Sequence, residues 1–162
     1  MTLPVGGIKE LQNSCMLFFT GFTRYSSDIQ AEQQKNLKLN IDNLREMTAL
    51  TRQAVKLLNS EKDLNEFGLL LDHTWRLKRT LSKMVSTPQI DRCYETALKV
   101  GAAGGKILGA GGGGFLLLFV KPEKQKYVKE ALKELLYVPF NFESIGSQIT
   151  MYSTINYSGI DS

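Results

Sequence analysis

GAAGGKILGAGGGGFLLLFV, residues 101–120, is the stretch on which the fold turns. Eight of the chain's fourteen glycines lie between Gly101 and Gly114. Phe115 to Val120 then forms a fully apolar run, with the length and character of a buried strand. So many glycines carry a large backbone-entropy cost and need a reason. Two reasons compete. A helix packed closely on a sheet, followed by a turn at positive φ, would use two or three of them. A backbone that must touch a ligand, with successive N–H groups aimed into a concavity, would use more. Such a nest binds anions, and phosphates above all. The glycine count favours the ligand.

The familiar phosphate loops do not fit. Walker A needs G-x-x-x-x-G-K followed by Ser or Thr, and here Lys106 is followed by Ile107. Gly109 to Gly114 can be threaded through G-x-G-x-x-G, but that motif follows a strand and opens a helix. These glycines are expected to follow a helix and open a strand.

Upstream, Cys15 to Thr20 (CMLFFT) reads as a buried strand closed by Gly21, and GFTRYSS as a loop. From Asp28 to Val100 the pattern is helical, broken only by Gly68 and Pro88. Ile41, Leu44, Met47, Leu50, Ala54 and Leu57 give one apolar face. Asp63 with Glu66 signals a second helix start, with Leu64, Phe67, Leu71, Trp75 and Leu81 on its buried side. Thr87-Pro88 signals a third, running to about Val100. Downstream, Lys121-Pro122-Glu123 restarts a helix whose apolar face is Val128, Ala131, Leu132 and Leu135. Residues 137–142 and 147–155 read as strands. This order is α+β: a small, largely antiparallel sheet with helices on one face.

Composition agrees with one globular domain. The chain has 162 residues, 43% hydrophobic and 22% charged, which argues against wholesale disorder. Its net charge is +4, but the excess is spread thinly along the chain with no basic run, so a nucleic-acid footprint is not expected. Nothing reads as a membrane span or a secretory leader. The two cysteines, Cys15 and Cys93, are expected in the core of a protein from a reducing compartment, the cytoplasm.

Gly101 to Gly114 resembles the third, C-terminal motif of the GHMP small-molecule kinases. Thr20-Gly21-Phe22-Thr23-Arg24 after an apolar strand, the Leu70–Arg79 helix with His73, Trp75 and Lys78, and Pro88-Gln89-Ile90-Asp91 resemble the heptose 7-phosphate kinase branch, often labelled galactokinase-like. The resemblance covers most of residues 12–150. It implies a ferredoxin-like antiparallel sheet with helices packed on one face, with residues 12–162 as the C-terminal domain and residues 1–11 as an arm from an N-terminal domain. That domain would carry the P-x-x-x-G-L-G-S-S loop that wraps ATP phosphates, and this sequence lacks the motif. The chain is therefore expected to be the C-terminal half of an ATP- and Mg²⁺-dependent sugar or sugar-phosphate kinase, inactive by itself.

The resemblance also distributes roles. Gly109, Ala110, Gly111, Gly112 and Gly113 would lie beside the N-terminal phosphate loop, with Lys106 in electrostatic support or simply packed. Thr23 and Arg24 would face the acceptor, where a guanidinium suits a phosphate or sugar hydroxyls; a surface arginine is the plainer alternative. His73 is either a packed or surface residue or a polar group facing the acceptor. Lys78 and Arg79 are a solvated helix face or charges for an acceptor phosphate. Asp91 is a helix-dipole partner. No catalytic base and no metal ligand is assigned within this chain. The expected partners are a small sugar or sugar phosphate and the N-terminal kinase domain, with a homodimer as an open alternative to a monomer. The competing reading is a stand-alone α+β module that holds a small anion without catalysis.

Overall fold

A computed structural model describes residues 6–22, 25–60, 63–143 and 146–149. The elements run in the order α1 (Gly7–Ser14), β1 (Cys15–Phe19), α2 (Ser26–Lys35), α3 (Ile41–Leu58), α4 (Asn65–Thr80), α5 (Pro88–Lys99), β2 (Ala102–Ile107), β3 (Phe115–Val120), α6 (Gln125–Ala131) and β4 (Leu136–Tyr137). Short 3-10 turns, Lys38–Asn40 and Pro122–Lys124, precede α3 and α6. The sheet order is β2-β3-β1-β4, and every pair is antiparallel. Helices connect β1 to β2 and β3 to β4, so this is the ferredoxin-like β-α-β-β-α-β arrangement. The expected α+β class holds, but the helices are not on one face alone: α5 and α6 pack on one face of the sheet and α4 on the other.

Strand alternation divides the core. Met16, Phe18, Ile107, Leu116, Leu118 and Val120 join Val85, Ile90, Tyr94, Ala97, Val128 and Leu132 in the larger cluster, under α5 and α6. The intervening residues Cys15 and Phe119 join Leu11, Leu58 and Leu64 in a smaller one. Trp75 is a core residue, as expected, and so is Tyr94, with their rings 6.3 Å apart edge to face. Cys15 is buried and Cys93 packs at the edge of the larger cluster, both as free thiols. Burial pushes the Cys15 thiol up to about 11.

The helix starts follow the sequence signals with one adjustment. Thr87 caps α5: its side chain accepts from the Ile90 amide at 3.2 Å, with Pro88 opening the helix. At α4 the capping residue shifts. Leu64 takes the N-cap position, while Asp63 Oδ1 accepts from the Asn65 amide at 2.8 Å and Asp63 Oδ2 pairs with Lys121 Nζ at 3.1 Å, and these two contacts hold its carboxyl below the usual range.

Three expectations need correction. Part of the glycine-rich stretch is a strand, β2, so the glycine loop joins two strands and does not follow a helix directly. The reason is the close approach of α4. A Cβ on Gly104 would lie 2.0 Å from the Gly68 carbonyl oxygen, and one on Gly68 would lie 2.6 Å from Ala103 Cβ. The strand expected over 137–142 stops at Tyr137, although the Val138 amide still donates to the Leu17 carbonyl at 2.8 Å. Past that bond the backbone turns to a side chain: the Phe142 amide donates to Gln12 Oε1 at 2.6 Å. Of the strand expected over 147–155, residues 147–149 are not in a strand, and 150–155 lie outside the described residues. The helix Gly7–Ser14 begins inside the stretch 1–11 expected to be an arm, runs past its boundary and places Leu11 in the smaller cluster. Among the described residues no helix is long and apolar enough to cross a membrane.

Candidate functional site

The β2–β3 connection, Leu108 to Gly114, is held from three sides. At its base the Leu108 amide donates to the Phe115 carbonyl at 2.9 Å. From the β1–α2 connection, Thr20 donates to the Gly114 carbonyl with both its amide (2.8 Å) and its hydroxyl (2.9 Å), and the Gly114 amide donates back to the Phe22 carbonyl (2.8 Å). From the α4–α5 connection, the Val85 carbonyl accepts from the Gly112 amide at 2.7 Å. The approach is too close for side chains: a Cβ on Gly113 would sit 2.2 Å from the Phe22 carbonyl oxygen.

These contacts decide which way the loop's donors face. The amides of Gly112 and Gly114 are turned into the scaffold. Those of Gly109, Ala110 and Gly111, on the more accessible part of the loop, have no acceptor among the described residues. Backbone donors left open beside solvent are what an anion-binding nest requires.

Two lysines lie near this loop. Lys78, in the last turn of α4, donates its ammonium to the Gly109 carbonyl. Lys106 is on β2, two residues beyond Gly104 and so on the sheet face that α4 covers. Burial, and then the charge of Lys106, pushes Lys78 down to about 8. The ion pairs among the described residues join Arg45–Asp42, Arg76–Asp72, Arg79–Asp91, Lys121–Asp63 and Lys133–Glu130, and Glu46 contacts His73, so neither lysine has a carboxylate there.

The neighbouring carboxylates serve the scaffold. Asp91 accepts from Arg79 Nη2 at 2.8 Å and from Ser86 Oγ at 2.6 Å. This bridge fixes the segment whose Val85 carbonyl holds Gly112. Asp72 accepts from Tyr94 Oη at 2.7 Å and from Arg76 Nε at 2.7 Å, and Asp72 raises the pKa of the Arg76 guanidinium. Burial, then Asp72, raises that of Tyr94. Ser82 donates its hydroxyl to Glu32, tying α2 to the same segment.

The structure therefore gathers Lys78, Lys106, Gly109, Ala110, Gly111, Gly112 and Gly113 at one place. His73 is elsewhere. It is five residues before Lys78, about 140° around the helix at 3.6 residues per turn. It pairs with Glu46 at 2.8 Å and lines a cleft between α3 and α4 with Gln53, Lys56 and Leu70. Thr23 and Arg24 lie outside the described residues. Arg79 and Asp91 pair with each other, a link that sequence reading missed because twelve residues and a turn separate them. The clamping roles of Thr20, legible in the sequence only as part of a motif, and of Val85 were missed as well. The one available signal was a polar residue ending an apolar strand. No group of three or more His, Cys, Asp or Glu side chains among the described residues is placed to hold a metal ion.

Known proteins resemble this chain in sequence and fold. The family model "GHMP kinases C terminal" matches residues 47–138. A D-glycero-alpha-D-manno-heptose 7-phosphate kinase of Campylobacter jejuni is 37% identical over 143 residues, 85% of this chain and 42% of that protein. A bifunctional fucokinase/GDP-fucose pyrophosphorylase of Arabidopsis thaliana is 33% identical over 135 residues, 78% of this chain and 12% of its own. Among solved structures, the mevalonate kinase of L. major superposes with a TM-score of 0.65 at 21% identity, over 74% of this chain and 37% of that one. The chain thus spans less than half the length of these relatives.

Proposed function

Since the chain belongs to the GHMP kinase C-terminal family, we propose that it is the C-terminal part of an ATP-dependent kinase acting on a sugar or sugar phosphate. The reaction moves the γ-phosphoryl group of ATP to a sugar hydroxyl. An O–P bond forms at the acceptor, the bond to the bridging β–γ oxygen breaks, ADP leaves, and the hydroxyl proton passes to a base. Such transfer is mostly positioning and charge stabilisation, for which fixed backbone amides are suited.

The observation that carries this reading is the clamped glycine loop with open amides at Gly109–Gly111 beside two lysines that lack a carboxylate among the described residues. These groups fit the phosphates of ATP or of a phosphorylated acceptor. Among the relatives, the Campylobacter protein's name gives heptose 7-phosphate as the favoured acceptor. Thr23 and Arg24 belong on the acceptor side of the proposal. The catalytic base and the ligands of Mg²⁺ are assigned to the N-terminal part of the kinase, so the chain alone is inactive. His73, turned to the α3–α4 cleft, receives no role in handling phosphate. The reading places the enzyme in the cytoplasm.

An ADP-release assay tests this. The chain alone and the product of the whole gene that encodes it are each offered ATP, Mg²⁺ and a panel of sugars and sugar phosphates. The expected result is silence from the chain and turnover by the whole product with heptose 7-phosphate. No turnover by the whole product with any acceptor would sink the proposal.

A further inference from the structure

We propose that Glu32 is a positioning residue for the glycine loop, acting through the Ser82 hydroxyl and the turn that carries the Val85 carbonyl. This rests on the kinase reading only for the reaction that the loop serves.

The clamp at Val85 comes from a segment, residues 81–87, with neither helix nor strand. Something other than regular structure must therefore aim the Val85 carbonyl at the Gly112 amide, 2.7 Å away. Ser82 does so with two groups. Its carbonyl accepts from the Val85 amide at 3.2 Å and closes a turn from Ser82 to Val85. Its hydroxyl accepts from the Met84 amide at 3.0 Å, inside the same turn, and donates to Glu32 Oε2. A serine hydroxyl rotates and carries one proton, so the acceptor of that proton sets its direction. A carboxylate only accepts. Glu32 takes the proton and leaves a lone pair of the hydroxyl to Met84. Ser82 is buried, so water cannot readily replace either bond. The end of the chain of bonds has little tolerance. A Cβ on Gly111 would lie 2.6 Å from the Val85 carbonyl oxygen, so a turn moved inward meets the loop backbone and a turn moved outward loses Gly112.

The position of Glu32 is fixed in its turn. It lies on the same face of α2 as Ile29, one turn earlier, which is fully buried in the larger cluster. α2 follows the connection whose Thr20 and Phe22 hold Gly114. Glu32 thus ties the element behind one clamp to the turn that carries the other.

ADP release by the whole gene product, with hydrogen exchange at the loop amides of this chain, tests the assignment. E32Q keeps an acceptor oxygen at the same reach and should match the parent within about twofold. E32D keeps the charge but ends one methylene short, so the Ser82 bond is lost. A misplacement of about 1 Å can cost about 10²-fold, and kcat should fall at least about tenfold. KM for ATP and for the acceptor should stay within about twofold, because fixed amides count most when charge develops in the transition state. S82A removes the same bond from the other side and should give the same loss, and E32D with S82A should lose no more than either alone. Thr87→Ala, destabilised through the α5 cap, should keep its kcat. Exchange at the Gly112 amide should quicken in E32D and S82A but not in E32Q, while the Gly114 amide, held by the other clamp, stays as in the parent.

If E32D fails to fold, S82A and E32Q carry the comparison. An E32Q as poor as E32D, additive losses, or a kcat in E32D and S82A equal to that of Thr87→Ala overturns the assignment and leaves the kinase reading standing. Faster Gly112 exchange in E32D, with no ADP release by the parent on any acceptor, sinks the kinase reading and leaves the role of Glu32 in placing the loop.

Discussion

Replacing Gly104 by alanine should damage this protein far more than the same change at Gly109, five residues away. A Cβ on Gly104 would lie 2.0 Å from the Gly68 carbonyl oxygen, 2.8 Å from the Asp72 amide nitrogen and 2.9 Å from the Gly68 carbonyl carbon. Carbon contacts are comfortable at about 3.5 Å, so α4 would have to retreat by more than about 1 Å. All three obstructing atoms are backbone, and no rotamer change can relieve them. Overpacking typically costs about 1–3 kcal/mol. A backbone clash belongs at or above the top of that range, so about 3 kcal/mol is expected. At about 2–4 °C per kcal/mol for a chain of this size, Tm should fall by about 10 °C. Gly109 has φ +76° but nothing within 4 Å of an added Cβ. There the left-handed backbone alone costs about 1–2 kcal/mol, partly offset by a stiffer unfolded chain. A net loss near 1 kcal/mol, about 3 °C, follows. Urea and thermal unfolding of the two variants measure the difference. Equal losses, or a larger loss at Gly109, would refute the view that the first glycines of the row exist for helix approach.

Three further outcomes are expected. Asp91→Asn removes the charge that Arg79 and Ser86 share; the pair is about a third exposed, so the cost should stay near 1 kcal/mol, with hydrogen exchange at the Gly112 amide speeding up more than elsewhere. Thr87→Ala deletes the α5 cap and should cost about 1 kcal/mol in urea unfolding, leaving phosphate binding unchanged. The folded-state Lys78 pKa, about 8, lies below the ordinary 10.5, so the unfolded chain binds more protons between those values and stability should rise with pH across that window. Unfolding curves of the parent and of K78M from pH 7.5 to 11 measure this: the parent should gain on the variant through that window, and parallel curves would exclude it.

Much of the fold was legible because its signals are local. Thr87-Pro88 announced α5, the apolar run at Phe115 announced β3, and three-and-four spacing announced α3 and α4. Failures came where distant chain decides. Gly104 and Gly105 looked like loop because glycine disfavours strands; only the presence of Gly68 opposite makes Gly104 a strand residue against a helix. At 137–142 alternating apolar residues suggested a strand, yet β4 is two residues long and Gln12 takes the Phe142 amide. At the site, residue types at Lys78, Lys106 and Gly109–Gly113 could be picked out. Their meeting, and His73's position on another side of α4, depended on helix phase against a partner surface.

The two explanations first weighed for the glycine row each hold for a different part of it. Gly104 accommodates α4, which brings Lys78 over β2 and within reach of Gly109. Gly112 and Gly114 give up their amides to Val85 and Phe22, and this fixes the loop. Gly109, Ala110 and Gly111 have no acceptor among the described residues. Among the described residues, the loop is fixed by Thr20, Phe22, Lys78 and Val85 directly, and by the Arg79–Asp91–Ser86 bridge through Val85. The ordering cost of the loop is therefore met during folding of this chain and not at the moment an anion arrives. A preorganised donor set of that kind loses little to reorganisation when charge develops against it. It follows that loosening the bridge at Asp91 should weaken phosphate binding without touching any group that contacts the phosphate, whereas capping changes at Thr87 should not.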